Sequence, residues 1–567
     1  MQDKKNVLIV ILASALVWLG MEVFLKPQQS AQTSVVQNIP SGSINQPASR
    51  VDSLARNLPS LTLEGPSIPF QNSKIQGSLD IKGGVIRQCS LKDYLETTDP
   101  NSKPVSILSK DSIAPSENSK MYAAYFGWVG SAESADYFPN PQTIWTCNKS
   151  ELTPEQPITL SWENSKGIQF FLDFAMDQEY LISVTQRVEN KGEDSIQCTP
   201  TSTLIRQGPV ITSGYMMLHE GPIGMANGKL QELSYKDVVK LGQSPWMDLS
   251  KSASKCGWLG MTDKYWLAAL IPAQGAKGRF IAEGGEFYLS QTQGHENLLK
   301  RSETQISTSH VFFGPKKLSL LEDYEKKMSI DHFDMAVDFG WFYFITKPMF
   351  NLLTWLQESV GNFGLAILIM TIAIKILFFP LSSKSFRAMS RMRLLQPQIQ
   401  GLKSRFKDDK LRLNQEMMNL YKREKINPAS GCLPMLVQIP IFFSLYKVLF
   451  ISIEMRHAPF WGWIQDLSAP DPTSVFSGFG LFPWTLPIWL HIGIWPILMG
   501  ITMVGQQLMN ASNITDSQQK IMLTYVVPIM FTFMLAQFPA GLVIYWTWSN
   551  FLTIAQQWVM MRYHQSV

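Results

Sequence analysis

Six apolar blocks and one long stretch of short alternating segments divide this chain. The blocks fall at 6–25, 361–381, 433–453, 484–509, 521–537 and 540–560, each close to the roughly 20 residues a helix needs to cross a hydrocarbon layer of about 30 Å. From 60 to 325 the pattern changes: GIQFFLDFAMDQEYLISVTQRV at 167–188 and RFIAEGGEFYL at 279–289 alternate apolar and polar positions between clusters of Gly, Asn, Asp and Pro. A period of two with β-branched and aromatic enrichment predicts a many-stranded all-β sandwich. The pattern therefore predicts one anchoring helix, an all-β domain, and a polytopic α-helical part of five further membrane helices.

The anchor is expected over 1–25, with Lys4 and Lys5 ahead of the apolar run and Ala13-Ser14-Ala15 in its middle. No small-residue cleavage site follows the run, so it reads as uncleaved, with its basic end in the cytoplasm. Residues 26–59, rich in Gln, Ser, Pro and Asn, cannot bury enough apolar area to order themselves and read as a flexible linker. Composition agrees with a mixed chain: of 567 residues 45% are hydrophobic but 17% are charged. Cys89, Cys147, Cys198, Cys256 and Cys432 form no C-x-x-C pair and give no metal pattern. The first four lie in the polar part, where an oxidising compartment could pair some of them, and spacing does not say which. No Ser/His/Asp order, carboxylate pair or phosphate loop stands out in the β region, so no catalytic residue, cofactor or metal is expected.

Charge sets the orientation. The stretch 382–432 carries twelve basic residues, among them Arg391, Arg393, Lys403, Arg405, Lys407, Arg412, Lys422 and Arg423, against four acidic ones, an excess of eight. The positive-inside rule puts it in the cytoplasm. The preceding aromatic segment 339–356, interrupted by Lys347-Pro348, then does not cross, and 331–360 reads as an amphipathic helix along the outer interface. With six crossings, both termini are cytoplasmic and the β domain lies outside. Within 382–432, Met392, Leu395, Ile399, Leu402 and Phe406, then Leu413, Met417 and Leu420, recur at steps of three and four. That spacing predicts a helical hairpin with one apolar seam, kinked at Pro397. Its charges either solvate the arms or dock an anionic surface such as RNA or lipid headgroups.

The block FGLAILIMTIAIKILFFPL at 363–381 holds one charge, Lys375. An ammonium at membrane depth costs about 2.5–3.5 kcal/mol, which marks it as a functional residue. No Asp or Glu lies inside the last three blocks to neutralise it. Snorkelling competes, since Lys375 is about 9 Å along a helix from Leu381. Lys447 and His491 are expected nearer the outer ends of their helices, at the interface. Cys432, in a Gly-Cys-Leu-Pro sequence, reads as a small residue at a helix start rather than a reactive thiol.

Longer runs carry a resemblance: LQPQIQ at 395–400, QEMMNLYKREKINPASGCLPMLVQIPIFFSLYKVL at 415–449, APFWGWIQDLSAPDP at 458–472, QQKIMLTYVVPIMF at 518–531 and FPAGLVIYW at 538–546. Together they resemble the YidC/Oxa/Alb family of membrane protein insertases, and the anchor plus outer domain resembles its Gram-negative form. The resemblance implies a five-helix insertase core over 361–567, enclosing a hydrophilic groove open to the cytoplasm and to lipid, and a β-supersandwich in the periplasm. It implies a groove lined by Lys375, Thr371, Gln438, Tyr545 and Trp546. The family usually has arginine where Lys375 stands, and commonly a second tyrosine where Trp546 stands. A lysine keeps the charge without the planar fork of arginine. The implied partners are nascent membrane proteins, ribosome–nascent chain complexes, the Sec translocon with its accessory subunits, and the lipid bilayer of the inner membrane, with no DNA. Two readings compete with insertion: an ion-coupled transporter, which would need intramembrane acids or repeated broken helices, and a membrane-anchored periplasmic sensor.

Overall fold

A computed structural model describes residues 65–108, 121–130, 137–208, 218–249, 255–340, 342–406, 409–424, 433–482, 490–510 and 517–565, with the isolated positions 210, 212 and 487. The anchor 1–25, the linker 26–59, Lys407 and Cys432 lie outside the described residues. The chain forms two compact units, 1–338 and 339–567.

The first unit is built on two antiparallel sheets, with ten and nine strands among the described residues. In the first sheet Met121–Val129 pairs with Ile196–Gln207, which pairs with Phe287–Gln293. In the second, Thr304–Pro315 pairs with Leu181–Asn190, which pairs with Ile168–Met176. The last pair is the alternation at 167–188: Phe170, Leu172, Phe174 and Val184 are buried while their neighbours are not. Likewise Lys277–Glu283 and Phe287–Gln293 form a hairpin whose three-residue turn places Gly284 and Gly285 at φ 60° and 70°, a conformation closed to most side chains. Aromatic rings lock the sheets face to face, Phe126 on Phe174 at 6.1 Å and Trp128 on Phe170 at 5.2 Å. Polar ties set their register: Gln186 Nε2 donates to Gly127 O at 2.6 Å, and Ser290 Oγ to Gly260 O at 3.0 Å. Cys89, Cys147, Cys198 and Cys256 are free thiols, and burial pushes the Cys89 and Cys198 thiols up from their ordinary range. Two helices accompany the sheets, α1 (Tyr235–Leu241) and α2 (Leu318–Met328).

The second unit is helical. It comprises α3 (Tyr343–Val360), α4 (Phe363–Leu377), α5 (Phe379–Leu394), α6 (Gln396–Arg405), α7 (Lys410–Arg423), α8 (Leu433–Ile451), α9 (Ile494–Asn510), α10 (Ser517–Ile521), a π-turn at Met522–Val526, α11 (Val527–Leu535) and α12 (Ala540–Gln565). No single described helix is long and apolar enough to cross a membrane; α4 and the start of α5 meet the criterion only together, across a 57° bend. Pro380 explains the bend, because it lacks the N–H that would bond back to Ile376 and its ring crowds that carbonyl.

Several boundaries differ from those read in the sequence. The expected helix over 331–360 is two elements: a 3₁₀ turn at Phe333–Ala336 in the first unit, then α3. Gly340, at φ 70°, breaks the path between them. Pro348 lies inside α3 without interrupting it. One face of α3 buries Thr346, Phe350 and Leu353, while Phe344, Leu352 and Trp355 stand exposed on another together with Asn351, Glu358 and Ser359, so the free face is mixed. In the block 484–509 the described helix runs from Ile494, and positions 484–486, 488 and 489 lie outside the described residues. Lys447 is buried, 7% exposed, instead of standing at an interface. In the hairpin, Leu395, Ile399 and Leu420 form the seam with Leu402 and Tyr421, but Pro397 opens α6 in its first turn rather than kinking one continuous arm.

Candidate functional site

The last helix carries the polar thread of the bundle. Tyr545, Ser549 and Thr553 recur at steps of four on α12, so they stack on one face. Lys375 reaches that face from α4: its Nζ donates to Thr553 Oγ1 at 3.0 Å. Thr553 Oγ1 donates in turn to Ser549 O at 2.7 Å. One turn further along, the Tyr545 hydroxyl is hydrogen-bonded to the side chains of Ser549 and of Gln438 on α8. A single column thus joins three helices, from the cation on α4 to the amide on α8. It continues on α12 to Gln556, whose Nε2 is buried with no partner among the described residues.

Of the five residues expected in a groove, Lys375, Gln438 and Tyr545 belong to this column. Thr371 does not: its hydroxyl donates back to Ile367 O at 2.6 Å and only 1% of the residue is exposed. Trp546 faces elsewhere, against Phe442 at 4.9 Å and Phe531 at 5.7 Å, at the edge of the Met499, Leu535 and Val543 cluster. Ser549 and Thr553 were missed by motif reading, although the four-residue spacing from Tyr545 carries them. The basic residues Arg391 and Arg393 lie on α5, Lys403 and Arg405 on α6, and Arg412, Lys422 and Arg423 on α7. Lys375 is turned onto Thr553 of α12. An ammonium has three N–H groups, and the described residues supply one acceptor and no carboxylate.

The opposite charge sits at one end of the bundle. Asp471, 8% exposed, accepts from Trp463 Nε1 at 3.1 Å, Thr473 N at 3.0 Å, Thr473 Oγ1 at 2.6 Å and Trp495 N at 2.9 Å. Thr473 Oγ1 accepts from Ile494 N at 3.0 Å. These two side chains therefore cap the first turn of α9, where a carboxylate also meets the positive end of the helix dipole. The same connection between α8 and α9 closes two other helix starts: Ala469 O and Leu467 O accept from Ala540 N and Gly541 N, at 2.7 and 2.9 Å, and Pro459 O accepts from Asn362 Nδ2 at 3.3 Å. Asn362 itself caps α4 through Leu365 N. Glycine is required where the connection presses closest, since a Cβ on Gly364 would stand 2.0 Å from Phe460 and one on Gly493 2.4 Å from Asp471.

A large β-sandwich unit followed by an apolar helical unit threaded by a polar column is the build of a membrane-embedded protein with a substantial extramembrane domain. Family models agree on both halves: the YidC periplasmic domain matches residues 67–352 and the 60Kd inner membrane protein matches 355–566. The two models meet inside α3, whereas packing places the boundary at Asp338/Phe339. Packing is the better guide, because Phe350 of α3 contacts Phe339 at 5.9 Å within the helical unit. Membrane protein insertase YidC of Granulibacter bethesdensis is 44% identical over 99% of this chain and 98% of its own length, and that of Rickettsia bellii is 40% identical over 98% of each. A crystal structure of an active YidC insertase with its first transmembrane domain resolved is 16% identical, covering 89% of this chain and 97% of its own, with a TM-score of 0.35. The chain belongs to the YidC family of inner-membrane proteins, and its first unit is that family's periplasmic domain.

Proposed function

We propose that this chain inserts and folds integral membrane proteins in the bacterial inner membrane, with the Lys375 column as the polar floor of a groove open to the cytoplasm and to lipid. The reading rests on one observation above all: Lys375 sits in an apolar helix, turned onto Thr553, with fewer acceptors than donors. Such a cation attracts the acidic or polar flank of a client. Water and the hydroxyls of Ser549, Thr553 and Tyr545 lower the cost of drawing that flank partway into the bilayer. The apolar segment of the client then leaves along α8 and α11 under its own transfer free energy. No bond is made or broken. Family membership favours this reading over a transporter or a sensor.

In the orientation we infer, the end carrying the Asp471 cap faces the periplasm and the basic helices α5 to α7 face the cytoplasm, with both termini cytoplasmic. Thr371 and Trp546 then act as walls of the groove rather than as its polar floor. The basic surface of Arg391, Arg393, Lys403, Arg405, Lys407, Arg412, Lys422 and Arg423 docks ribosome–nascent chain complexes, and the Sec translocon with its accessory subunits works beside the bundle on larger clients. A photoreactive residue at 375 should crosslink to a stalled nascent chain with an acidic outer tail. Crosslinks from the lipid-facing position 501 with none from 375 would overturn the groove. Neutralising Lys403, Arg405, Lys422 and Arg423 together should weaken co-sedimentation with ribosomes, and unchanged co-sedimentation removes the hairpin from that role.

A further inference from the structure

The described helix in the block 484–509 starts at Ile494, and the described connection between α8 and α9 exposes apolar side chains. Between Asp471 and Asp516 there is no Asp, Glu, Lys or Arg. Within that run Val475, Phe476, Phe479, Leu481 and Phe482 are exposed by 38, 47, 61, 82 and 50%. Trp461 and Trp463, earlier in the same connection, are exposed by 63 and 41%. A contiguous exposed apolar segment on this scale marks a contact surface.

Its backbone is largely closed on itself. Val475 N donates to Ile492 O, Gly478 N to Val475 O, Phe479 N to Ser474 O, Leu481 N to Gly478 O and Phe482 N to Ser477 O, at 3.0–3.2 Å. The Ser477 hydroxyl donates to Ser474 O at 3.0 Å. Closing these donors lowers the cost of setting the segment in lipid, where an unpaired N–H costs several kcal/mol. Phe479 adopts the left-handed conformation, φ 60° and ψ 32°, which tightens the turn and presents its ring outward. The segment is rooted through Thr473 and Ile492 at the start of α9, a helix of the membrane unit, so its apolar surface continues the surface that the bilayer already covers.

We propose that Val475–Phe482 is a lipid wedge: a closed turn whose Phe476, Phe479, Leu481 and Phe482 side chains occupy the hydrocarbon edge of the leaflet at the Ala540 end of the bundle, with Trp461 and Trp463 at the headgroup level. The occupant is the acyl-chain region of the bilayer, not a protein. This does not depend on Lys375 or on insertion activity.

The test uses the full-length chain in phosphatidylethanolamine–phosphatidylglycerol vesicles. Cys147, Cys256 and Cys432 are replaced by serine, and Phe479→Cys, Leu481→Cys or, as a reference on the outer β unit, Ile144→Cys (71% exposed) carries the polarity-sensitive fluorophore NBD. Labels at 479 and 481 should emit to the blue of the label at 144 and be quenched several-fold more strongly by doxyl-labelled lipid, with aqueous iodide showing the reverse order. Emission and iodide quenching equal to those at 144 would overturn the wedge, and so would blue emission without lipid quenching, which would mean that a protein covers the turn. Because each label replaces an exposed side chain, a thermal melt of the labelled protein separates misfolding from a true negative.

Discussion

Lys375 and Asp471 are both charges inside the apolar half of this molecule, and they are held in opposite ways. Asp471 accepts four hydrogen bonds from groups fixed by the fold, two of them from Thr473 and one from the first turn of α9. Lys375 donates one, to a threonine on a different helix. A charge held by four donors of the fold, three on Oδ1 and one on Oδ2, ties structure together, while one with unmatched donors is kept ready for something that comes and goes. The comparison separates scaffold from site inside a single helical unit.

Substitutions can break that contrast. Asp471→Ala should cost most, roughly 2–4 kcal/mol, because it strands the α9 cap and the Trp463 indole together; a fall in thermal midpoint in detergent is the readout, and an unchanged midpoint would deny the cap its role. Next, Gly493→Ala should lose about 1–3 kcal/mol by driving a methyl into Asp471, measured the same way. Lys375→Met should leave stability intact or raise it, since it removes an ammonium from an apolar helix, yet lower insertion of clients with acidic outer tails about tenfold, the equivalent of ~1.4 kcal/mol for one charge-assisted contact. Complementation after depletion of the native protein, compared between acidic and neutral clients, checks it; Lys375→Arg should restore most of the loss. The smallest effect is expected from Tyr545→Phe, about 1 kcal/mol, with a weaker insertion defect than Lys375→Met. If Tyr545→Phe instead matched Lys375→Met in insertion, the column would act as one unit rather than as a cation with a support.

How far the sequence carried differs by residue. Alternation at 167–188 and the Gly284-Gly285 pair lead directly to paired strands, because a period of two and a turn needing positive φ leave few other options. Lys375 was legible because a lone charge in an apolar run is costly wherever it points. Where it points was not legible: Thr553 lies 178 residues away, and only packing of α4 on α12 brings the two together. Thr371 and Trp546 show the converse, since sharing a helix with Lys375 or Tyr545 does not fix which way a side chain turns. Asp471 went unremarked because DP in a loop looks like turn chemistry until the start of α9 is seen to rest on it.

One connection, between α8 and α9, supplies acceptors to the first turns of α9 and α12 and to the asparagine that starts α4. Three helices are therefore gathered at one point and free of that tether at the other. Such a bundle spreads like a fan about a rivet: any angular play among α4, α9 and α12 produces almost no displacement at the Asp471 end and the greatest displacement at the far end. Lys375 lies near the far end of α4, where any such play would be largest.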